Sequence, residues 1–386
     1  MKLRLEPADE HMHPLESAKN FNESMYFNFF SPADRIGGWV RLGNRANEGY
    51  AEMTTCVYLP DGRVGFMFSR PEIADNDAFD AGGMRFEMIE PFEKQRVSYA
   101  GKVALLERPL EMVNPRQAFT DNLWVDAAVE LDYRGVSPMW GGEPVNDDGS
   151  PITESAEQGF ARGHYEQHVG ARGVVRVADQ EWEIDGFGLR DHSWGPRYWQ
   201  SPWWYRWLTA NFGEDFGFVI SIVNSRDGGQ RVGGAVLEDG DYRTIDEVKL
   251  ETEWRGADSY HQDVRAVAHT AERDYEIEGS VLSLIPLRNR RQTPDGDMLV
   301  TRISEGMTEW RCDGKVGFGL SEYLDQMVDG QPVGGLGHAA RARLTPATSC
   351  RRPHRRRHRR RTHRRRSRSS PMSTAASTSV SPTSRR

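Results

Sequence analysis

Cysteine is scarce, with Cys56, Cys312 and Cys350 the three in 386 residues. An odd number spaced this widely builds neither a disulfide framework nor a cysteine-rich metal site, and it points to a reducing compartment. Long apolar runs are missing too: no stretch of about eighteen apolar residues occurs. The N-terminal Met-Lys-Leu-Arg-Leu-Glu places charges where a secretory leader needs an apolar core. Together these absences predict a cytoplasmic protein with no membrane insertion. Positive charge is short in the body, where residues 1–338 carry 34 basic against 57 acidic side chains, a net of −23. Such a surface repels phosphate, so no specific nucleic-acid partner is expected. A Gly-x-Ser-x-Gly elbow is also lacking, and Ser193 next to His192 points away from it along the chain, which argues against a serine hydrolase.

What the chain does contain is a series of short, aromatic-rich segments separated by Asp-Gly and Pro-Asp-Gly turns. Ala127, Val129, Leu131 and Tyr133 alternate with Asp126, Glu130 and Asp132, the period of two expected of a half-buried strand. Asp239-Gly240 and Asp313-Gly314 punctuate similar pairs further on, and repeated turns of this kind predict an all-β protein of antiparallel sheets, closed or sandwiched. Residues 137–153 are rich in Gly, Pro and Asp and suggest a boundary. The expected organisation is therefore an N-terminal β-domain over 18–150, a second over 151–338 and a disordered basic tail over 339–386. Residues 351–368 hold twelve Arg and three His and no acid, a composition unable to form a core. The tail reads either as an arm for anionic surfaces or as the product of a reading-frame slip.

The densest chemistry lies between Gly186 and Trp207. Five of the eleven Trp (Trp194, Trp199, Trp203, Trp204 and Trp207) fall within fourteen residues, beside the run Arg190-Asp191-His192-Ser193. Strand periodicity places Asp191 with Leu189 and Phe187 on one face. A carboxyl among indole rings loses hydration and becomes a stronger proton holder, while Arg190, Arg197 or His192 pulls it back, so Asp191 is either a proton donor or one half of an ion pair. His192 is a relay, a base, or ordinary hydrogen-bonded structure. On a second strand His164, Glu166 and His168 share a face. They form a polar stripe from which Glu166 and His168 partner Asp191, or alternatively a two-His, one-carboxylate metal set. Arg190, Arg197, Trp194, Trp199, Trp203, Trp204, Tyr205 and Trp207 either bind substrate or, for the aromatics, fill core.

Gly188-Leu-Arg-Asp-His-Ser-Trp-Gly195 resembles the Asp-His-x-Trp-Gly signature of the carotenoid 1,2-hydratase superfamily, which includes lipocalin-like Diels-Alderases. The segments Gly37-Gly-Trp-Val-Arg-Leu-Gly43 and Gly317-Phe-Gly-Leu-Ser-Glu-Tyr323 extend the likeness over residues 20–335. The resemblance implies two consecutive lipocalin-like β-barrel or sandwich domains, a ligand cavity near their junction, and Asp191 as the acid that protonates an isoprenoid alkene. The expected function is a hydratase-type lyase or isomerase for an isoprenoid or steroid-like molecule, without cofactor or metal. The alternative is a non-catalytic carrier of such a hydrophobic small molecule.

Overall fold

The computed structural model of the chain describes residues 2–150, 152, 159–293 and 295–335. The predicted tail over 339–386 lies outside the described residues. Strands dominate the rest, and the α-helix Pro115–Asp121 is seven residues long. No helix among the described residues is long and apolar enough to cross a membrane.

Alternation builds the strands. Along Leu123–Gly135 the side chains of Ala127, Val129, Leu131 and Tyr133 are buried while Asp126, Glu130 and Asp132 are exposed. At the Asp239-Gly240 and Asp313-Gly314 turns all four residues have φ between +51° and +86°. That is the left-handed geometry of tight hairpins, and it favours Gly at the second position.

Eight strands close into a first antiparallel barrel: Phe21–Ser31, Ile36–Arg45, Tyr50–Tyr58, Val64–Ser69, Lys94–Leu106, Leu123–Gly135, Gly163–Val177 and Gln180–Pro196. Closure comes from Gly163–Val177, which pairs with Leu123–Gly135 and with Gln180–Pro196, and from Gln180–Pro196 returning to Phe21–Ser31. Eight more strands, from Trp204–Asn211 to Lys315–Val328, run up and down in chain order, and the first pairs with the last to close a second barrel.

The boundary read at 150/151 is corrected by this topology. The fifteen- and seventeen-residue strands after it complete the first barrel, and the chain changes barrel between Pro196 and Trp204. The Gly- and Pro-rich stretch instead carries the strand Trp140–Val145, which lies against the start of Gly163–Val177.

Four apolar clusters follow, the smallest being Tyr260, Val281 and Leu284. One around Phe27, Val40 and Val129 fills the first barrel, and one around Phe218, Ile277 and Trp310 fills the second. The third, with Tyr26, Trp39, Leu189, Tyr205, Trp207 and Leu320, joins the outer faces of the two barrels.

Candidate active site

The joining face is not solid. A cavity of about 1690 Å³ opens within it, lined by both barrels. Sheet register arranges its polar wall. On the first barrel Glu166, Asp191, Tyr26, Arg41 and Thr54 stand side by side on five adjacent strands. On the second, Ser221, Trp207, Glu322 and Glu305 form a comparable row on four. All nine line the cavity. Directly opposed residues in antiparallel strands have Cβ atoms about 4.5–5.5 Å apart, so Glu166 and Asp191 are near neighbours.

Burial governs the charges. Desolvation raises the Asp191 carboxyl, Arg197 and Arg41 pull it back, and it settles at about 6. Glu166 is raised by burial and by the Asp191 charge, against a hydrogen bond from Trp207 Nε1 (2.5 Å), to about 8. Across the chamber Tyr205 donates its hydroxyl proton to Glu322, which burial lifts to about 7. Burial and the Glu322 charge hold Glu305 well above the carboxylate range. Burial and its cationic neighbour Arg41 push Arg197 down to about 10; it donates to Ser193 Oγ (2.7 Å) and to the Phe160 carbonyl (2.9 Å). At neutral pH the site therefore combines protonated and ionised carboxyls with two guanidinium groups, walled by Trp39, Trp199, Tyr205 and Trp207.

Strand parity divides the residues singled out from sequence. Asp191, Glu166, Arg197, Trp199, Tyr205 and Trp207 line the chamber. Arg190 and His192 flank Asp191 in sequence and so point into the first barrel. There the Arg190 guanidinium bonds Glu10 (2.6 and 3.2 Å) and Gln167 (2.9 Å). His192 Nε2 lies 2.6 Å from Glu23, whose same oxygen meets His13 Nδ1 at 2.8 Å. Among the described residues, His13, Glu23 and His192 are close enough to hold an ion. Trp194 is buried and stacked on His13, with centroids 4.1 Å apart.

His168 corrects two expectations. It is buried against Tyr242 Oη (2.8 Å) and the Phe218 carbonyl (3.3 Å), so it neither partners Asp191 nor converges with His164 and Glu166 on a metal. Trp203 lies under Arg226, and Trp204 packs with the interior of the second barrel under Arg206. Neither lines the chamber.

Glu305 and Glu322 escaped the sequence reading. Their signal was an acid flanked two residues either side by apolar neighbours on its own strand face: Ile303 and Met307 around Glu305, Leu320 and Leu324 around Glu322.

A carboxyl whose pKa is raised by folding favours the folded state at low pH and penalises it as pH climbs through the folded value. Glu166→Gln and Glu322→Gln are therefore expected to be more stable than the parent at pH 9 by about 1–3 kcal/mol, with the difference vanishing near pH 4. Urea unfolding at the two pH values measures it.

Two closed antiparallel barrels joined through their outer faces, with a chamber of carboxyl, guanidinium and aromatic groups at the seam, define a double lipocalin-like β protein. Residues 6–327 match DUF7064, a domain of unknown function, and the chain belongs to that family. Among solved structures, a protein assigned as AttH from Nitrosomonas europaea superposes with a TM-score of 0.50 at 15% identity, covering 84% of this chain and 96% of that one; this likeness is one of fold. Kievitone hydratase from Nectria haematococca aligns at 10% identity with a TM-score of 0.49, over 84% of this chain and 96% of its own. CghA with bound Sch210972 aligns at 12% identity with a TM-score of 0.47, over 82% and 94%. No curated protein matches the sequence.

Proposed function

We propose that the chamber carries out hydration, or the reverse dehydration, of an alkene in an apolar isoprenoid or steroid-like molecule, using carboxyl groups alone. One observation carries the reading: Glu166 and Asp191 stand opposed on neighbouring strands of one aromatic-walled cavity, at about 8 and about 6. At pH 7 Glu166 keeps its proton and Asp191 is mostly charged, so acid and base are poised side by side. The sequence reading assigned donation to Asp191; the order of the two raised values gives that step to Glu166.

In the forward direction the Glu166 proton passes to one alkene carbon and leaves a tertiary cation on the other. Faces of Trp207, Tyr205 and Tyr26 stabilise the cation by about 0.5–2 kcal/mol each. Water adds to the cation, and Asp191 takes the proton that the water releases. Transfer of that proton from Asp191 to Glu166 restores the starting state.

The test begins with any hydrophobic molecule that co-purifies with the protein, identified by mass spectrometry and returned to fresh enzyme in heavy-oxygen water. A product heavier by one water and carrying the label supports hydration. A ligand recovered unchanged, in both directions, sinks it.

A further inference from the structure

The arginines of the chamber differ in their partners. Arg41 and Arg70 pair with Glu52, Arg162 pairs with Glu16 and Glu143, and Arg197 is held by Ser193 and the Phe160 carbonyl. Arg226, Arg231, Arg288 and Arg290 are exposed and Arg291 is half-buried, so these five line the solvent side of the cavity, and none makes an ion pair to a described residue. Arg226 lies in the turn between the strands Phe216–Asn224 and Gln230–Glu238 and Arg231 near the start of the latter, while the other three lie at the end of the strand Asp274–Gln292. Asp227 lies among them, but it is engaged by its own turn, accepting from Ser225 Oγ and the Gly229 amide.

Aromatic faces steady two of the five guanidinium groups. Arg226 lies 4.4 Å from the Trp203 centroid and Arg291 lies 3.7 Å from that of Tyr198. Arg288 and Arg290 are close enough to interact, since burial and then Arg290 lower the Arg288 guanidinium. Five cations without an ion pair to a described residue, lining one cavity in a body of net charge −23, form a local positive field that a bound anion would relieve. A solvated rim would need no such concentration.

We propose that the substrate is an amphipathic anion. Its carboxylate or phosphate head is held at the rim by these five arginines, and its apolar body reaches inward past Trp199 to Tyr205, Trp207, Asp191 and Glu166. This rests on the reading of the chamber as the reaction site and adds the substrate class. Arginine suits the task, because its planar fork meets either oxyanion through two bonds.

The experiment compares three probes with one tail: farnesoic acid, farnesyl monophosphate and farnesol, titrated into the full chain by calorimetry at low and high salt. At least one acid is expected to bind about tenfold tighter than the alcohol at low salt, with the advantage shrinking at high salt; which acid does so identifies the head. The double variant R288E/R290E is expected to lose about tenfold in affinity for that acid and to hold farnesol within about twofold. It keeps the arginine-rich tail, so a loss is not the tail's. Equal affinity for all three probes, or an equal loss for all three in the variant, overturns the anionic head while leaving the apolar chamber intact. Failure of every probe to bind removes the chamber reading, and this proposal with it.

Discussion

Glu166→Gln is expected to lower turnover by about 10²–10⁴-fold while leaving ligand affinity within a few-fold, and Asp191→Asn is expected to do the same. The amide keeps the volume and, at position 166, still accepts the Trp207 hydrogen bond, so what is removed is the exchangeable proton or the charge. Single-turnover kinetics separate the two outcomes, because a non-catalytic carrier has no turnover to lose and a ligand affinity that stays put. The pH profile adds a signature that a packing role would not produce. The active form needs Asp191 ionised and Glu166 protonated, so kcat/KM should rise through about 6 and fall through about 8. Because the two carboxyls interact, these limbs belong to the pair. In Glu166→Gln the alkaline limb should vanish from whatever activity is left. A flat profile between pH 5 and 9 in the parent enzyme would dismiss the pair as the acid and base.

Much of this site was legible from strand parity. Asp191, Glu166, Tyr205 and Trp207 could be placed on sheet faces by counting in twos. That Glu166 and Asp191 share a wall, however, is set by register between strands. Composition did worse. A Trp-rich run suggests a greasy wall, but Trp203 and Trp204 precede and open the strand that carries Trp207. Trp204 shares the inward face of Leu208, and Trp194 shares that of His192. The Gly- and Pro-rich stretch misled the domain boundary for a related reason. Closure of the first barrel depends on Gln180–Pro196 meeting Phe21–Ser31, a pairing between distant segments that no local composition records. Glu305 and Glu322 went unread because acids on a β-strand normally face water, and only the first barrel packed against their face turns that face into an interior.

Glu10→Ala is expected to destabilise the protein by about 3–5 kcal/mol, the usual result of leaving a buried charge without its partner. Arg190 and Glu10 are both fully buried, and their side chains make a two-pronged pair inside the first barrel. Glu10 also receives the Phe92 amide (2.8 Å), Gln95 Nε2 (3.2 Å) and the Tyr165 hydroxyl. This one carboxylate thus ties the N-terminal segment Pro7–Glu10 to three strands of the barrel, those of Gln95, Tyr165 and Arg190. Burial alone would raise its pKa, but Arg190 outweighs burial and holds it below the ordinary value of 4.5. A lowered value means that the pair's contribution is present above the unfolded pKa and is lost as pH falls through the folded one. The parent should accordingly lose stability below about pH 4, and Glu10→Ala should show less of that acid-dependent loss. Chemical denaturation across pH 3–7 measures both effects. Replacing both partners, Glu10→Leu with Arg190→Met, should recover part of the loss, because an apolar pair leaves no orphaned charge. Were Glu10→Ala instead to fold with unchanged stability, the buried pair would not be what ties this segment to the barrel.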